Sequence, residues 1–326
     1  MNIIEISEKF PTELDAVKYF ERKRFGKKVR CAYCNGKKLS KRTKDMRHKC
    51  YECNRTTFVT VGTYLHSSNM DLKKWMYAFS IVTDAKKGLS AKQLQRHLSI
   101  SYPTAFKMYH KIRDLMAIEN KGIDELDNVV EMDETFIGGK PRKGANSKCM
   151  PKKRRKNYDD KIKQLKKEGF EFKTGNRTVA CDLETKRGRG SLKKTPVVGI
   201  VERDGNVVAE VMKTLSHDNL KAMVKKYVDE DDAVLITDNY RGYNRLERII
   251  EHIKIDHHKM YSYRGINTNS IESFWAIIKR QIIGQHHQVS VKHLPKYVAE
   301  AVFKYNNRDE DDMFVTLVKN SMNKAA

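Results

Sequence analysis

The sequence predicts an α/β protein: a sheet containing a hairpin and continued through helical crossovers, preceded by a small cysteine-bearing module and a helical one. Three observations carry that expectation. Beyond residue 125, short apolar strand-like runs alternate with amphipathic stretches, the pattern of a sheet covered by helices. Asp204-Gly205 separates two apolar runs, a strong hairpin signal. Four cysteines fall in two close pairs before residue 54, in a polar and basic background.

The elements follow in order. Residues 1–27 read as a helical lead-in and residues 28–60 as the cysteine module. Cys31, Cys34, Cys50 and Cys53 give the spacing Cys-x2-Cys-x15-Cys-x2-Cys. Two thiolates three residues apart chelate one ion from a tight turn, and two such turns complete a tetrahedron. The module is therefore expected to be a zinc ribbon. Four protein ligands leave no position for water, so the ion's role is structural. The alternatives are chance clustering or disulfides. The N-terminus lacks a basic start and a long apolar core, so a signal peptide is not expected and a reducing cytoplasm is. Cys149 and Cys181 stand apart and read as free thiols. Lys28, Arg30, Lys37, Lys38, Lys41, Arg42, Lys44, Arg47 and Lys49 surround the ribbon, either as a grip on DNA or as a solvated basic surface.

Residues 68–120 are helical by pattern, with Leu72, Trp75, Met76, Phe79 and Val82 recurring on one face. Within them, residues 88–113 have the form of a helix-turn-helix. Ser90 caps a first helix carrying Leu94 and Leu98, residues 99–101 turn, and Pro103 suits the first turn of a second helix. That helix is expected to present Thr104, Lys107, His110 and Lys111 to a major groove. An ordinary helical hairpin is the alternative.

Residues 125–318 read as the α/β domain. Strands are predicted over 129–137, 195–203, 206–213 and 233–237, with a short one over 253–256. Helices are predicted over 216–230, with Ser216 as N-cap, and over 243–252, 269–283 and 292–307. Residues 140–194 form an insertion with 20 Lys/Arg against 6 Asp/Glu, a surplus of 14. That is more than half of the chain's net charge of +24. Such an excess calls for a polyanionic partner. No apolar run approaches the roughly 18 residues of a membrane span, so nucleic acid is favoured over membrane.

Three acids occupy distinct settings. Asp133 lies in the first strand, sharing a face with Glu131 and Thr135 while Glu134 points the other way. Asp238 ends a buried strand, where α/β sheets tend to place sites. Glu272 opens a helix, with Lys279 two turns further along the same face. Two strand-borne aspartates and a helical glutamate in a basic chain suggest a site for two magnesium ions that transfers a phosphoryl group. Each acid has a plain structural alternative. Asp133 could be an exposed strand carboxylate, and Asp238 could cap the turn after it. Glu272 could be the third position of a capping box with Asn269 as N-cap. Tyr263, Asn267 and Asn269 carry weaker signals for positioning. Trp275 reads as core.

The element order matches the ribonuclease H-like sheet shared by many nucleases, transposases and integrases. The cysteine module, residues 131–139, 196–203, 237–243 and 267–275 with Lys279, and residues 305–308 together resemble the ISXO2-like transposases of the IS1595 insertion-sequence family. That resemblance runs over about residues 28–308. It implies a DDE transposase with a ribonuclease H-like catalytic domain using two Mg²⁺ or Mn²⁺ ions. Asp133, Asp238 and Glu272 would be the acids and Lys279 their basic companion. It further implies double-stranded DNA partners, both terminal inverted repeats and target, and a homodimer or larger assembly on DNA. The insertion over 140–194 is longer and more basic than the family's usual link. The alternatives are a ribonuclease H-like nuclease or resolvase that only hydrolyses, and a non-catalytic DNA-binding regulator.

Overall fold

A computed structural model of the chain describes residues 1–123, 125–138, 167, 194–255, 267–310 and 312–323. Cys149, Cys181, Tyr263 and nearly all of the basic insertion lie outside the described residues. The chain divides into two compact units, Met1–Thr135 with Pro196–Ala326, and Phe136–Thr195. The sites discussed below lie in the first.

Helices α1 (Ile3–Lys9) and α2 (Glu13–Phe25) open the chain. Thr12 and Asp15 form a reciprocal capping box at the start of α2. A two-stranded ribbon, β1 (His48–Lys49) and β2 (Thr56–Thr57), carries the cysteine turns. Arg42 ties it to α2 through a bidentate pair with Glu21, at 2.9 and 2.7 Å. Helices α3 (Leu72–Asp84), α4 (Ala91–Leu98) and α5 (Tyr102–Glu119) follow. Ser90 caps α4 and Ser101 caps α5, and Ser99 turns the chain in the left-handed region between them. Glu13 reaches from α2 to accept the backbone N–H groups of Leu72 and Lys73, capping α3 from another element.

The sheet has the order β5-β4-β3-β6-β7. Its strands are β3 (Leu126–Ile137), β4 (Thr195–Glu202), β5 (Val207–Val211), β6 (Val228–Asp238) and β7 (Glu251–Ile255). Strands β4 and β5 form the expected antiparallel hairpin, with Asp204 at positive φ in its turn. Strand β6 runs parallel to β3 on one side and to β7 on the other. Helix α6 (His217–Tyr227), capped by Ser216, covers one face. Its Leu220, Met223 and Val224 bury against Val130, Met132, Val198, Ile200 and Leu235. Helix α7 (Asn269–Arg280) covers the opposite face. Gly199 marks the contact: a Cβ there would lie 2.8 Å from the Trp275 ring and 3.0 Å from Ile271, so only glycine admits the helix this close.

Helix α8 (Leu294–Asn306) joins sheet to helices. The Asn306 amide pairs with both backbone groups of Val207 on edge strand β5, blunting that edge. Glu300, fully buried on α8, accepts from Arg113, Tyr109 and Lys304 at 2.6–2.8 Å. Helix α9 (Met313–Met322) returns to the start of the chain. Its Phe314, Leu317 and Val318 share one core with Ile6, Val17, Phe20, Trp75 and Ile112.

Several elements differ from expectation. Residues 243–252 form no α-helix. They make 3-10 turns at Arg241–Tyr243 and Leu246–Arg248 and then enter β7. Tyr243, Leu246 and Ile250 all bury at spacings of three and four, and that imitates a helix. Strand β6 begins at Val228, five residues early, because Val228 pairs with Leu126 across a register shift. The helix predicted over 269–283 leaves α geometry after Arg280 and continues as a π-helix, Gln281–His286.

Candidate functional site

The cysteine cluster is built locally. In each half, Cys-x-x-Cys closes on an asparagine with positive φ, Asn35 at 59° and Asn54 at 56°. Backbone bonds from Cys31 to Gly36 and from Cys50 to Arg55, both 2.9 Å, hold the two turns. They bring all four sulfurs within 4.8 Å of one another. Cys31 and Cys53 are 3.7 Å apart, Cys34 and Cys50 3.6 Å. A tetrahedron of metal–sulfur bonds about 2.3 Å long has edges of about 3.8 Å, so the arrangement suits one thiolate-bound ion. Burial raises the Cys31 thiol, but the N–H groups of Cys34 and Tyr33 and the neighbouring thiols outweigh it, bringing it down to about 7.

The acidic site is assembled from three elements. The last register pair of β3 and β6 is Met132 with Thr237, so Asp133 and Asp238 follow side by side on parallel strands. Asp133 is half-buried, and its carboxyl is pushed up to about 7 by burial and by the charges of Glu134 and Asp238. Close negative charges of this kind are what a divalent cation relieves, so the two aspartates fit one. Asp238 accepts from the Tyr240 N–H at 2.9 Å, so the turn-capping alternative is realised with one of its oxygens. On the other sheet face, Glu134 accepts from the buried Tyr243 hydroxyl at 2.6 Å.

Helix α7 meets Asp133 through Trp275, whose Nε1 donates to Asp133 Oδ2 at 3.1 Å. Trp275 is core, as its sequence suggested, and is also bonded to the candidate site. Glu272 lies one turn earlier and is exposed; Thr268 Oγ1 donates to it at 3.4 Å. Lys279 is exposed as well. Among the described residues, the four cysteines are the one group of three or more His, Cys, Asp or Glu side chains close enough to share an ion. Asp133 and Asp238 stand together, but Glu272 is not drawn into a common shell with them.

The capping box that is the alternative reading of Asn269 and Glu272 is absent. The helix begins at Asn269, its N-cap is Thr268, and that side chain makes no capping bond. The cap comes from Glu131 on β3, fully buried, whose Oε2 accepts the N–H groups of Ser270 and Ile271 at 2.9 and 3.1 Å. Its Oε1 accepts from Ser270 Oγ at 3.1 Å and Arg203 Nε at 3.0 Å. Reading the sequence for chemistry passed over Glu131 and Arg203. The available signal was that Glu131 shares a strand face with Asp133.

The second helix of the helical hairpin presents fewer residues than expected. Lys107 is exposed and Thr104 half-buried. His110 is only 8 % exposed and packs on Phe106, His293 and Tyr297, so it does not face a groove. Its position three residues after Lys107 places it where α5 meets α8, and apolar packing decides its direction. Lys111 is half-buried and donates to the carbonyl of Tyr64 at 3.2 Å, holding a turn.

The profile described as the ISXO2-like transposase domain matches residues 172–306. That stretch holds Asp238, Glu272 and Lys279, and Asp133 precedes it. No curated protein matches the chain. Among solved structures, the Mos1 strand transfer complex is similar at 11% identity, covering 76% of this chain and 78% of that one, with a TM-score of 0.20. The Mos1 mariner paired end complex with Mn is similar at 11% identity, 76% and 78% coverage and a TM-score of 0.22. Among the described residues, no helix is long and apolar enough to cross a membrane.

Proposed function

We propose that this chain, which carries an ISXO2-like transposase domain over residues 172–306, is a DDE transposase. It cleaves at insertion-sequence ends and transfers the resulting 3′ hydroxyl into target DNA. The observation that carries the reading is Asp133, within β3, standing beside Asp238 at the end of the parallel strand β6, with the helix bearing Glu272 docked on Asp133 through Trp275. The strand order, with β3 central and β6 and β7 parallel to it, supports a ribonuclease H-like catalytic core.

Asp133 and Asp238 would hold Mg²⁺ or Mn²⁺, and Glu272 would complete the shell when DNA is engaged. Divalent ions in such a site activate the attacking oxygen and stabilise the leaving one. The protein's own residues do the rest. Trp275 fixes one Asp133 oxygen and Tyr240 one Asp238 oxygen, so each carboxylate keeps a defined orientation. Lys279, exposed on α7, would meet a phosphate. The cysteine cluster would hold a structural Zn²⁺. With Lys107 and the exposed ribbon lysines it would grip the terminal repeats, and two ends handled together call for a dimer or larger assembly in the cytoplasm.

The test is incubation of the protein with labelled terminal-repeat DNA, a target plasmid and Mg²⁺ or Mn²⁺. Joined products are expected. Nicks without joining would make it a nuclease, and intact DNA binding with no metal-dependent product would make it a regulator.

A further inference from the structure

Glu131 concentrates four donors on one fully buried carboxylate: two helix N–H groups, one hydroxyl and one guanidinium. A carboxylate offers about four lone-pair positions, so its accepting capacity is filled and none is left for a cation. The bonds to Ser270 and Ile271 span 139 and 140 residues of chain. They satisfy helix N–H groups that α7's own N-cap residue leaves without a side-chain partner. Arg203 completes the clasp. It donates to Glu131 and, through Nη2, to the Asn267 carbonyl at 3.0 Å, so it also holds the segment entering α7.

The clasp sits beside the chemistry. Glu131 is two residues from Asp133 on the same strand face, and Ile271 immediately precedes Glu272. A single strand therefore carries one acid of the site and the anchor for the helix that bears another. We infer that Glu131, held by Arg203, is a positioning residue. It sets where α7 stands on β3, and so fixes both the approach of Glu272 and the Trp275 bond to Asp133. The inference rests on the transposase reading for its chemical consequence, though not for its structural one.

A buried cap with only a structural role would lower the melting temperature and leave a well-folded protein's saturated rate and metal response alone. A positioning role moves both. The test uses the full chain carrying Trp75→Phe, which leaves Trp275 as the single tryptophan of the two. This protein is compared with versions adding Glu131→Gln or Arg203→Met, the second leaving the Glu131 bonds to the helix in place should the first fail to fold. Each is kept well below its melting temperature. Mn²⁺ is titrated against Trp275 emission, and single-turnover cleavage of labelled terminal-repeat duplex is followed at saturating DNA.

With Glu131→Gln, we expect a red-shifted emission maximum, a half-quenching Mn²⁺ concentration raised about 10-fold or more, and cleavage slowed about 100-fold. DNA binding should be unchanged. Arg203→Met should move the same readouts in the same direction by less. Emission, Mn²⁺ response and rate all equal to the parent in a folded variant would overturn the inference. If the parent itself neither cleaves nor responds to Mn²⁺, the transposase reading fails. The emission maximum still decides whether Glu131 docks α7, and no shift there overturns that docking.

Discussion

The cysteine cluster and the acidic site illustrate two ways of bringing candidate metal ligands together. Each pair of cysteines sits on one turn whose shape is set by its own backbone bonds and an asparagine at positive φ, so the sulfurs are gathered within 4.8 Å. The acids come from β3, β6 and α7, and only the two on adjacent strands stand together. Local ligands are preorganised by local structure. Ligands from distant elements depend on how those elements dock, and here the docking runs through side chains that ligate nothing: Glu131, Arg203, Trp275 and the space left by Gly199.

Several changes separate these two designs, beginning with the largest effect. Cys50→Ser, or a strong chelator, should abolish bound zinc and unfold the ribbon, because binding such an ion supplies the folding free energy of small metal modules. Metal analysis and loss of DNA binding read this out. Asp133→Asn should slow cleavage by about 1,000-fold or more, while the melting temperature holds or rises, because the substitution removes repulsion with Glu134 and Asp238. A fall in melting temperature would show that the Trp275 bond outweighs that repulsion. Glu300→Gln strikes the scaffold. Removing one partner of a buried ion pair costs about 3–5 kcal/mol, and denaturant melts should show it without a selective loss at either site. Gly199→Ala forces the Trp275 ring away and should cost about 1–3 kcal/mol, with cleavage impaired and zinc content unchanged.

The smallest effect is on pH. Burial, with Arg113 adding, lowers His110 and His286 to about 4. His110 also faces His293, Lys296 and Glu300. The unfolded chain binds those protons first, so the contribution of these histidines should fall as pH drops from about 6.5 to 4, opposed by Asp133, whose raised carboxyl takes its proton first in the folded chain. Burial raises the Glu300 carboxyl, but Lys304 and Arg113 outweigh it and bring it to about 2. Its contribution is full above its ordinary value and is lost progressively as pH falls from there to about 2. Melts across pH 4.5–7 should therefore depend less steeply on pH in His110→Phe than in the parent.

Much of this was legible from residues alone where the determinants are local. The cysteine spacing, the Asp-Gly hairpin, the Ser90 and Ser216 caps and the strand positions of Asp133 and Asp238 all depend on neighbours in sequence. Legibility failed where the partner was remote. Asn269 and Glu272 have the letters of a capping box, yet Glu131 supplies the cap from the sheet. Glu13 caps α3 in the same way. Lys107 and His110 look alike on a helical projection, but α8 packs over one of them. Tyr243, Leu246 and Ile250 bury at helical spacing in a segment that makes 3-10 turns and a strand, because β6 offers its neighbour a ladder of backbone bonds.

Helix α9 closes the core that α1, α2 and α3 begin, with Phe314 and Leu317 packed among residues synthesised roughly 230 to 310 positions earlier. During translation, the ribbon and the sheet can form while the first helices still lack their last wall. The first helices are therefore made long before the helix that completes their core, and they mature only after it. A nascent chain stalled before residue 313 should carry α1 and α2 as a protease-sensitive segment, and release of α9 should protect them.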